Sequence, residues 1–194
     1  FCPDYLYKED RYKPFPKAVS KKQEHVLGTG VMNRAKDVLN LVKVWRRSDI
    51  NFKLKVSGFF PDKKLFEEVK EYAGDRIEIT DCYPSSDEYY KKIAESKFVI
   101  LSYKKSKYTK RTSGILLESI YLDTPVIAPA FLLDYTGLPG IGYDSLEDIE
   151  RILAGLDERK LAEIKKEMAQ VRNEYRFGTM KKKISAALEC LAVG

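Results

Sequence analysis

The sequence predicts an α/β protein with a Rossmann-like, doubly wound parallel sheet that carries helices on both faces. Two observations support this fold class. Short apolar segments alternate along the chain with segments that have apolar residues at helical spacing. Two of the short segments, FVILSY and TPVIAP, are nearly unbroken apolar runs, as expected for strands covered on both faces. Alternating strands and helices form parallel sheets through right-handed crossovers.

The individual elements follow in a regular order. EHVLGTG is a strand that ends in glycines, and AKDVLNLVKVWRRS is a helix. FKLKVSG is a strand, and DKKLFEEVKEYA is an amphipathic helix that begins at the capping residue Asp62. RIEIT and FVILSY are strands on either side of the capped helix SSDEYYKKIAESK. The helix SGILLESIYLD precedes the strand TPVIAP, and three helices complete the chain: DSLEDIERILAGL, DERKLAEIKKEMAQVRNEY and TMKKKISAALECLA.

The chain of 194 residues is long enough for one domain with a substantial core. Residues 1–23 contain three prolines and five aromatic residues, and we expect them to form an arm or interdomain linker. We expect residues 24–175 to form the Rossmann-like domain and residues 176–194 to form a C-terminal helix. No apolar run is long enough to cross a bilayer.

Composition excludes several classes of site. The net charge of +6 suits a phosphorylated ligand, an anionic membrane surface or nucleic acid, without choosing among them. A single histidine, His25, argues against histidine metal sites and Ser-His-Asp triads, and we expect no metal. The three cysteines are far apart and match neither a disulfide framework nor a zinc pattern, which favours a reducing, cytoplasmic setting. No catalytic residue is identified.

In a doubly wound sheet the ligand binds outside the carboxyl ends of the strands, so the turns after the strands are candidate sites. The first turn, Gly28–Gly30, supplies flexible backbone and is followed by the cations Arg34 and Lys36. Asn33 takes the third glycine position of G-x-G-x-x-G, so the dinucleotide fingerprint is incomplete. A glycine turn with solvated cations is the alternative. In the third turn, Tyr83 either stacks on a planar base or packs against the next helix.

The turn before SGILLESIYLD carries a cluster of cations, because five of the ten residues 103–112 are basic. Thr112 or Ser113 can cap the helix, and Gly114 allows a ligand to approach the backbone closely. Together with Lys110–Arg111, the free N–H groups and the helix dipole favour a phosphate at this position. A solvated charged loop is the alternative.

Glu118 lies one helical turn after Gly114 on an otherwise apolar helix, where a buried carboxylate needs a partner. It could pair with a lysine. It could also accept hydrogen bonds from ribose hydroxyls, since a sugar would lie about 5 Å along the helix from a phosphate at its N-terminus.

The segment FVILSYKKSKYTKRTSGILLESIYLDTPVIAP resembles the signature of GT-B glycosyltransferases, in particular the family 4-like retaining enzymes. The matching pieces are Ser113-Gly114, Glu118-Ser119 and residues 124–127, and the order of the upstream elements also agrees over roughly residues 24–175. The resemblance implies one half of a GT-B fold, the C-terminal half, which binds a nucleoside-diphosphate sugar as donor substrate and needs no metal or other cofactor. It also implies an N-terminal, acceptor-binding domain as a partner.

The resemblance also implies roles for individual residues. The donor diphosphate would be bound by Lys36, Arg34, Ser113 and Gly114. The ribose would be bound by Glu118 and the base by the loop around Tyr83, with Gly28 and Gly30 beside the donor. Lys110 stands where the family usually has an acidic residue, and Asp37 stands where it usually has glycine.

Three functions are compatible with these features. The first is the donor-binding domain of a glycosyltransferase, with little transfer activity by itself. The second is a non-catalytic nucleotide-binding or scaffolding module, which Lys110 favours. The third, RNA binding through the basic loop with Tyr103 and Tyr108, lacks any RNA-module motif, so we expect no nucleic-acid partner. The lysines at 181–183 either contact an anionic membrane surface or form a solvated helix face.

Overall fold

The computed structural model describes residues 22–108 and 112–175, together with residues 179, 181, 182, 184 and 185. Strands and helices alternate along this part of the chain. The strands are β1 (Gln23–Val31), β2 (Lys53–Phe59), β3 (Ile77–Asp81), β4 (Ser96–Ile100), β5 (Val126–Pro129) and β6 (Ile141–Tyr143). The helices are α1 (Val38–Arg47), α2 (Lys63–Lys70), α3 (Ser86–Glu95), α4 (Lys105–Tyr108), α5 (Gly114–Tyr121), α6 (Ala130–Thr136), α7 (Asp148–Ala154) and α8 (Glu158–Glu174).

The six strands form one sheet in the order β3-β2-β1-β4-β5-β6, and every neighbouring pair is parallel. Because β2 lies on one side of β1 and β4 on the other, the order reverses at β1. The carboxyl ends of β1 and β4 therefore flank the switch point at which α/β sheets of this type bind ligands. The predicted fold class, a doubly wound parallel sheet with helices on both faces, is confirmed.

Two apolar clusters lie on opposite faces of the sheet, as the alternation of side chains along a strand requires. The first cluster contains Val26 of β1 with Trp45 of α1. The second contains the next strand residue, Leu27, with Leu116 of α5. Helix α8 packs against both, since Ile164 contacts the two clusters.

Local sequence signals set the starts of three helices. Asp62 accepts a hydrogen bond from the backbone N–H of Leu65 at 3.0 Å and caps α2, as predicted. Ser85 and Glu88 form a capping box on α3. Of the two candidates for the cap of α5, the structure selects Ser113. These caps satisfy amide groups that the first turn of a helix leaves unpaired.

The only histidine of the chain, His25, is a buried structural residue of β1. Its Nε2 atom lies 2.9 Å from the Ser96 hydroxyl, and that hydroxyl donates its proton to the Lys92 carbonyl oxygen. His25 is therefore the donor to Ser96. Burial, with the positive charge of Lys55, lowers the pKa of His25 to about 4.

The sequence pattern predicts no element for residues 130–143, where the structure has α6 and β6. Residues 1–21 lie outside the described residues, as do most of residues 176–194. The arm or linker at residues 1–23 and the C-terminal helix at residues 176–194 therefore stay predictions, as does the boundary of the domain between them.

Candidate functional site

Two loops meet at the switch point of the sheet, one after β1 and one after β4. The backbone N–H of Asp37 donates to the carbonyl oxygen of Ser102 at 2.5 Å, and the N–H of Lys104 donates to that of Ala35 at 3.0 Å. An antiparallel bridge pairs Lys36 with Tyr103. The hydrogen bonds fix the position of the Lys36 backbone and direct its side chain into the protein.

Lys36 is a buried cation, with 8% of its surface exposed. Its ammonium donates to the Thr29 carbonyl oxygen at 3.0 Å and lies 5.6 Å from the centre of the Tyr103 ring. Burial lowers the pKa of Lys36 to about 8, although the negative charge of Glu118 partly offsets this effect. Within the described part of the chain Lys36 forms no salt bridge. An anionic ligand would therefore give this ammonium a direct ion-pair partner, in addition to the electrostatic effect of Glu118.

Gly30 brings the end of β1 against Lys36 and the start of α5. Its φ of +91° lies in the region that favours glycine. A Cβ atom at this position would lie 2.9 Å from the Lys36 Nζ and 2.9 Å from Cδ1 of Ile115. Gly28 lies two residues earlier in the same strand, and a Cβ there would make only ordinary contacts. Of the two predicted glycines, Gly30 is the one whose lack of a side chain shapes the site.

Ser113 and Gly114 form the start of α5 beside this cluster. The Ser113 hydroxyl is buried, caps Leu116 N–H and lies 3.0 Å from the Tyr103 hydroxyl. This side chain is therefore committed to the helix cap, whereas Gly114 is the first helical residue and is half-buried. Thr112 is also half-buried. Lys110 and Arg111 lie outside the described residues.

Glu118 on α5 is held by a residue that the sequence analysis did not identify. The hydroxyl of Tyr89 on α3 donates to Oε2 of Glu118 at 2.6 Å. Burial, with the negative charge of Glu118, raises the pKa of Tyr89 far above its usual value. Tyr89 therefore remains a hydrogen-bond donor throughout the neutral range.

A cavity of about 250 Å³ opens at the carboxyl ends of β1, β2 and β3. Its lining includes Gly30, Phe59, Tyr83 and Tyr89. Tyr83 is 85% exposed and touches Phe59 edge-on, with ring centroids 5.9 Å apart. An exposure this high does not fit the alternative in which Tyr83 packs against the next helix. Its free ring face is available to a planar group.

Arg34, which was predicted together with Lys36, forms salt bridges at the start of α2. Its guanidinium lies 2.9 Å from Asp62 and 3.5 Å from Glu68, and about half of its side chain is exposed. Only one cation of the pair, Lys36, therefore belongs to the buried cluster beside Gly30.

A larger cavity of about 550 Å³ lies at the carboxyl ends of β4, β5 and β6. Both acidic and basic side chains line this cavity. Two of the cations form salt bridges, Arg47 with Glu147 at 2.6 Å and Lys104 with Asp37 at 3.1 Å. The smaller cavity is the better candidate site, since Gly30 and Tyr89 in its wall contact Lys36 and Glu118.

Within the described residues, no group of three or more histidine, cysteine, aspartate or glutamate side chains is arranged to hold a metal ion. None of the helices in that part of the chain has the length and apolar character that a bilayer crossing requires.

No protein-family model and no curated protein matches the chain. Solved structures do match it. AviGT4, a glycosyltransferase involved in avilamycin A biosynthesis, has a TM-score of 0.69 at 16% identity, with 97% of this chain and 57% of that chain covered. Anabaena HepE in complex with UDP-glucose has a TM-score of 0.67 at 13% identity, with 95% and 56% covered. The C-terminal domain of LpcC, a group 1 glycosyl transferase from Francisella tularensis, has a TM-score of 0.57 at 16% identity, with 88% and 93% covered.

The chain has the fold of the C-terminal domain of a GT-B glycosyltransferase. This confirms the resemblance that the sequence indicated. The chain spans little more than half the length of AviGT4 and HepE, whereas it matches nearly all of the LpcC domain.

Three contributors to the candidate site are not predicted from the sequence. They are the Thr29 carbonyl oxygen that binds Lys36, the Tyr103 ring beside the ammonium, and the Tyr89 hydroxyl on Glu118. Thr29 and Tyr103 lie in or next to turns that the sequence indicates as candidate sites. A backbone carbonyl acceptor or the orientation of an aromatic ring, however, cannot be recognised from the sequence. Tyr89 lay on a helix and gave no signal beyond its place in an amphipathic pattern.

Proposed function

We propose that this chain is the donor-binding domain of a glycosyltransferase and that it binds a nucleoside-diphosphate sugar at the carboxyl ends of β1 to β4. The observation that carries the proposal is the buried ammonium of Lys36, which lies beside Gly30 without a salt bridge in the described part of the chain. A dianionic diphosphate would satisfy that charge. The HepE structure, which shares the fold, is a complex with UDP-glucose, and this supports the assignment.

The start of α5 supplies the second half of the diphosphate site. The first amides of a helix and its dipole favour an anion, and Gly114 allows close approach to them. A Cβ on Gly30 would lie 2.9 Å from Cδ1 of Ile115, the residue after Gly114. The start of α5 and the end of β1 are therefore in contact. A phosphate beside the ammonium would therefore also reach these amides.

The remaining parts of the donor match the cavity in order. Tyr83 and Phe59 offer aromatic surface to the base. Glu118, one helical turn along α5 and hydrogen-bonded to Tyr89, would accept hydrogen bonds from the ribose. The sugar would lie beyond the diphosphate, toward the acceptor-binding domain that we propose as the second half of the protein.

The chemical contribution of this domain is electrostatic. As the glycosidic bond to the diphosphate breaks, negative charge grows on the departing phosphate oxygen. The Lys36 ammonium and the α5 amides are fixed before the reaction and become more strongly engaged as that charge develops, which lowers the barrier. We propose no catalytic base within the described residues.

The test is calorimetric titration of the chain with UDP, GDP, ADP and UDP-glucose. One nucleoside diphosphate should bind, and Lys36→Met should weaken it about 10- to 100-fold, the range expected when a charged hydrogen-bonding partner is lost. The matched control is Lys64→Met, because Lys64 is an exposed residue of α2. The Kd of the Lys64→Met variant should stay within about twofold of the wild-type value, as expected for an exposed charge away from the ligand. Absence of binding by all four ligands at millimolar concentration would contradict the proposal.

The second candidate is a non-catalytic nucleotide-binding or scaffolding module. An assay of the full-length protein decides between this function and the enzyme. Transfer of sugar by the full-length protein supports the enzyme, whereas nucleotide binding without transfer supports the module. Lys181 and Lys182 are exposed, which is compatible with contact with an anionic membrane surface as well as with a solvated helix face.

A further inference from the structure

We propose that Tyr89 is a positioning residue for the donor ribose. Acting through Glu118, it makes the domain select ribonucleoside diphosphates over their 2′-deoxy counterparts. This inference rests on the proposed function, because it assigns a substrate class to the same site.

Tyr89 contributes to the wall of the cavity and is hydrogen-bonded to the carboxylate. Its side chain lines the cavity at the ends of β1 to β3, and its hydroxyl donates to Oε2 of Glu118 at 2.6 Å. The hydrogen bond joins two different helices, α3 and α5. Glu118 therefore lies one hydrogen bond from the wall of the cavity in which the nucleotide would bind.

The position of Tyr89 is itself well determined. The capping box of Ser85 and Glu88 fixes the first turn of α3, and the N–H of Tyr89 donates to the Ser85 carbonyl oxygen at 2.9 Å. The neighbouring Tyr90 is buried in the second apolar cluster and meets the Tyr89 ring at a centroid distance of 5.4 Å. The donor to Glu118 is thus part of the rigid scaffold.

A carboxylate that is already fixed in position discriminates between ribose and 2′-deoxyribose more strongly than a mobile one. A glutamate side chain has three rotatable bonds, and ordering it on ligand binding would cost about 1 to 2 kcal/mol. In this domain Tyr89 orders the carboxylate before the ligand arrives. A carboxylate can accept several hydrogen bonds, so Glu118 would accept from the 2′- and 3′-hydroxyls of a ribose as well as from Tyr89. A 2′-deoxyribose would leave part of this acceptor desolvated and unpaired, which is the situation in which polar sites discriminate strongly.

The experiment measures selectivity rather than affinity alone. Calorimetry gives Kd for UDP and for 2′-deoxy-UDP with the wild-type chain, Tyr89→Phe, Glu118→Gln and the double variant. If another base binds better in the ligand series above, its diphosphate and 2′-deoxy counterpart replace this pair. The wild type should prefer the ribonucleotide about tenfold or more, as expected for one hydrogen bond to a charged group. Tyr89→Phe should reduce that preference at least threefold. The double variant should lose little more of the preference than Glu118→Gln does, because Tyr89 acts only through Glu118.

Tyr121→Phe is the matched control. It removes the same atom from a tyrosine on α5 whose hydroxyl donates to the Tyr175 carbonyl oxygen at 2.9 Å, in a contact between α5 and the end of α8. Both phenylalanine variants should lose similar stability in denaturant, but Tyr121→Phe should keep the wild-type preference for the ribonucleotide.

Two results would overturn the inference and leave the proposed function intact. One is tight binding of UDP with equal affinity for its 2′-deoxy form in the wild type. The other is an unchanged preference in Tyr89→Phe. If no nucleoside diphosphate binds the wild type, the proposed function fails and this inference fails with it.

Discussion

The ammonium of Lys36 occupies the space in which residue 30 would carry a side chain. A Cβ on Gly30 would lie 2.9 Å from the Nζ atom, and the φ of +91° at Gly30 is one that residues with side chains rarely adopt. The glycine turn and the cation are therefore coupled parts of one structure. Position 30 must remain free of a side chain for Lys36 to occupy its buried place.

Gly30→Ala should lower the free energy of unfolding by about 1 to 2 kcal/mol, mainly through backbone strain at the positive φ, because the atoms that a Cβ would meet are the movable ends of the Lys36 and Ile115 side chains. It should also weaken diphosphate binding by more than tenfold, because the ammonium must move. Gly137→Ala is the control. Gly137 has a φ of +63°, but nothing lies within 4 Å of its added Cβ. It should lose only about 1 kcal/mol, the cost of the backbone alone, and should bind normally. Chemical denaturation measures the change in stability, and calorimetry measures the change in affinity. An equal loss of diphosphate affinity in the two variants would refute the steric argument.

Diphosphate affinity should fall as the pH rises above 8. The pKa of Lys36 in the free protein is lowered to about 8, and a bound anion raises it, so binding requires the charged form and takes up protons. Between the free and bound pKa values, Kd should rise roughly tenfold per pH unit, the limit for one linked proton. Titration at pH 8 in buffers of different ionisation enthalpy should show uptake of roughly half a proton. Lys36→Met should remove both effects, and a pH-independent Kd in the wild type would contradict the assignment.

Ser113→Ala should affect the stability of the domain more than its affinity. The Ser113 hydroxyl caps Leu116 and lies 3.0 Å from the Tyr103 hydroxyl, so its loss should cost about 1 to 2 kcal/mol of unfolding free energy. We expect less than a threefold change in Kd, because the α5 amides rather than the side chain would contact the phosphate. Asp157→Ala is the control, because Asp157 caps α8 by accepting from the Lys160 N–H at 2.8 Å and does not line the smaller cavity. A Kd that rises by more than tenfold would show that the hydroxyl itself is a ligand.

Acid should destabilise the fold partly through His25. The pKa of His25 is about 4 in the folded protein and about 6.5 in the unfolded chain, so the unfolded state binds the proton more tightly. The stability due to the neutral imidazole is complete above pH 6.5 and is lost as the pH falls toward 4, by at most about 3 kcal/mol. Denaturation at several pH values should show a shallower slope in this window for His25→Gln. An unchanged slope would mean that His25 titrates normally in the fold.

The sequence was sufficient to predict the elements that carry a clear period or cap. The apolar run of β4 and the Ser85 capping box of α3 each leave a pattern that several residues share. Strand β6 has only three residues, too few to show an alternation. Helix α6 begins directly after Pro129 and ends at Gly137 with no side-chain cap, so it resembles a loop in sequence.

The site was predicted less completely, for physical reasons. Arg34 and Lys36 stand two residues apart in a turn, where no period shows which side chain points inward. The isolated bridge between Lys36 and Tyr103 settles the choice, since it joins two turns that are distant in sequence. Tyr89 and Glu118 are likewise brought together only by the packing of α3 on α5.

Helix α8 links the two faces of the sheet into one cooperative unit. Leu161 packs on the first apolar cluster, the fully buried Met168 on the second, and Ile164 on both. Loss of this one helix would expose part of both clusters at once, so we expect the two faces to unfold together. Amide hydrogens in β1 and β4 should consequently exchange with solvent at a common rate, set by global unfolding. Any shortened version of the protein must extend at least to Tyr175.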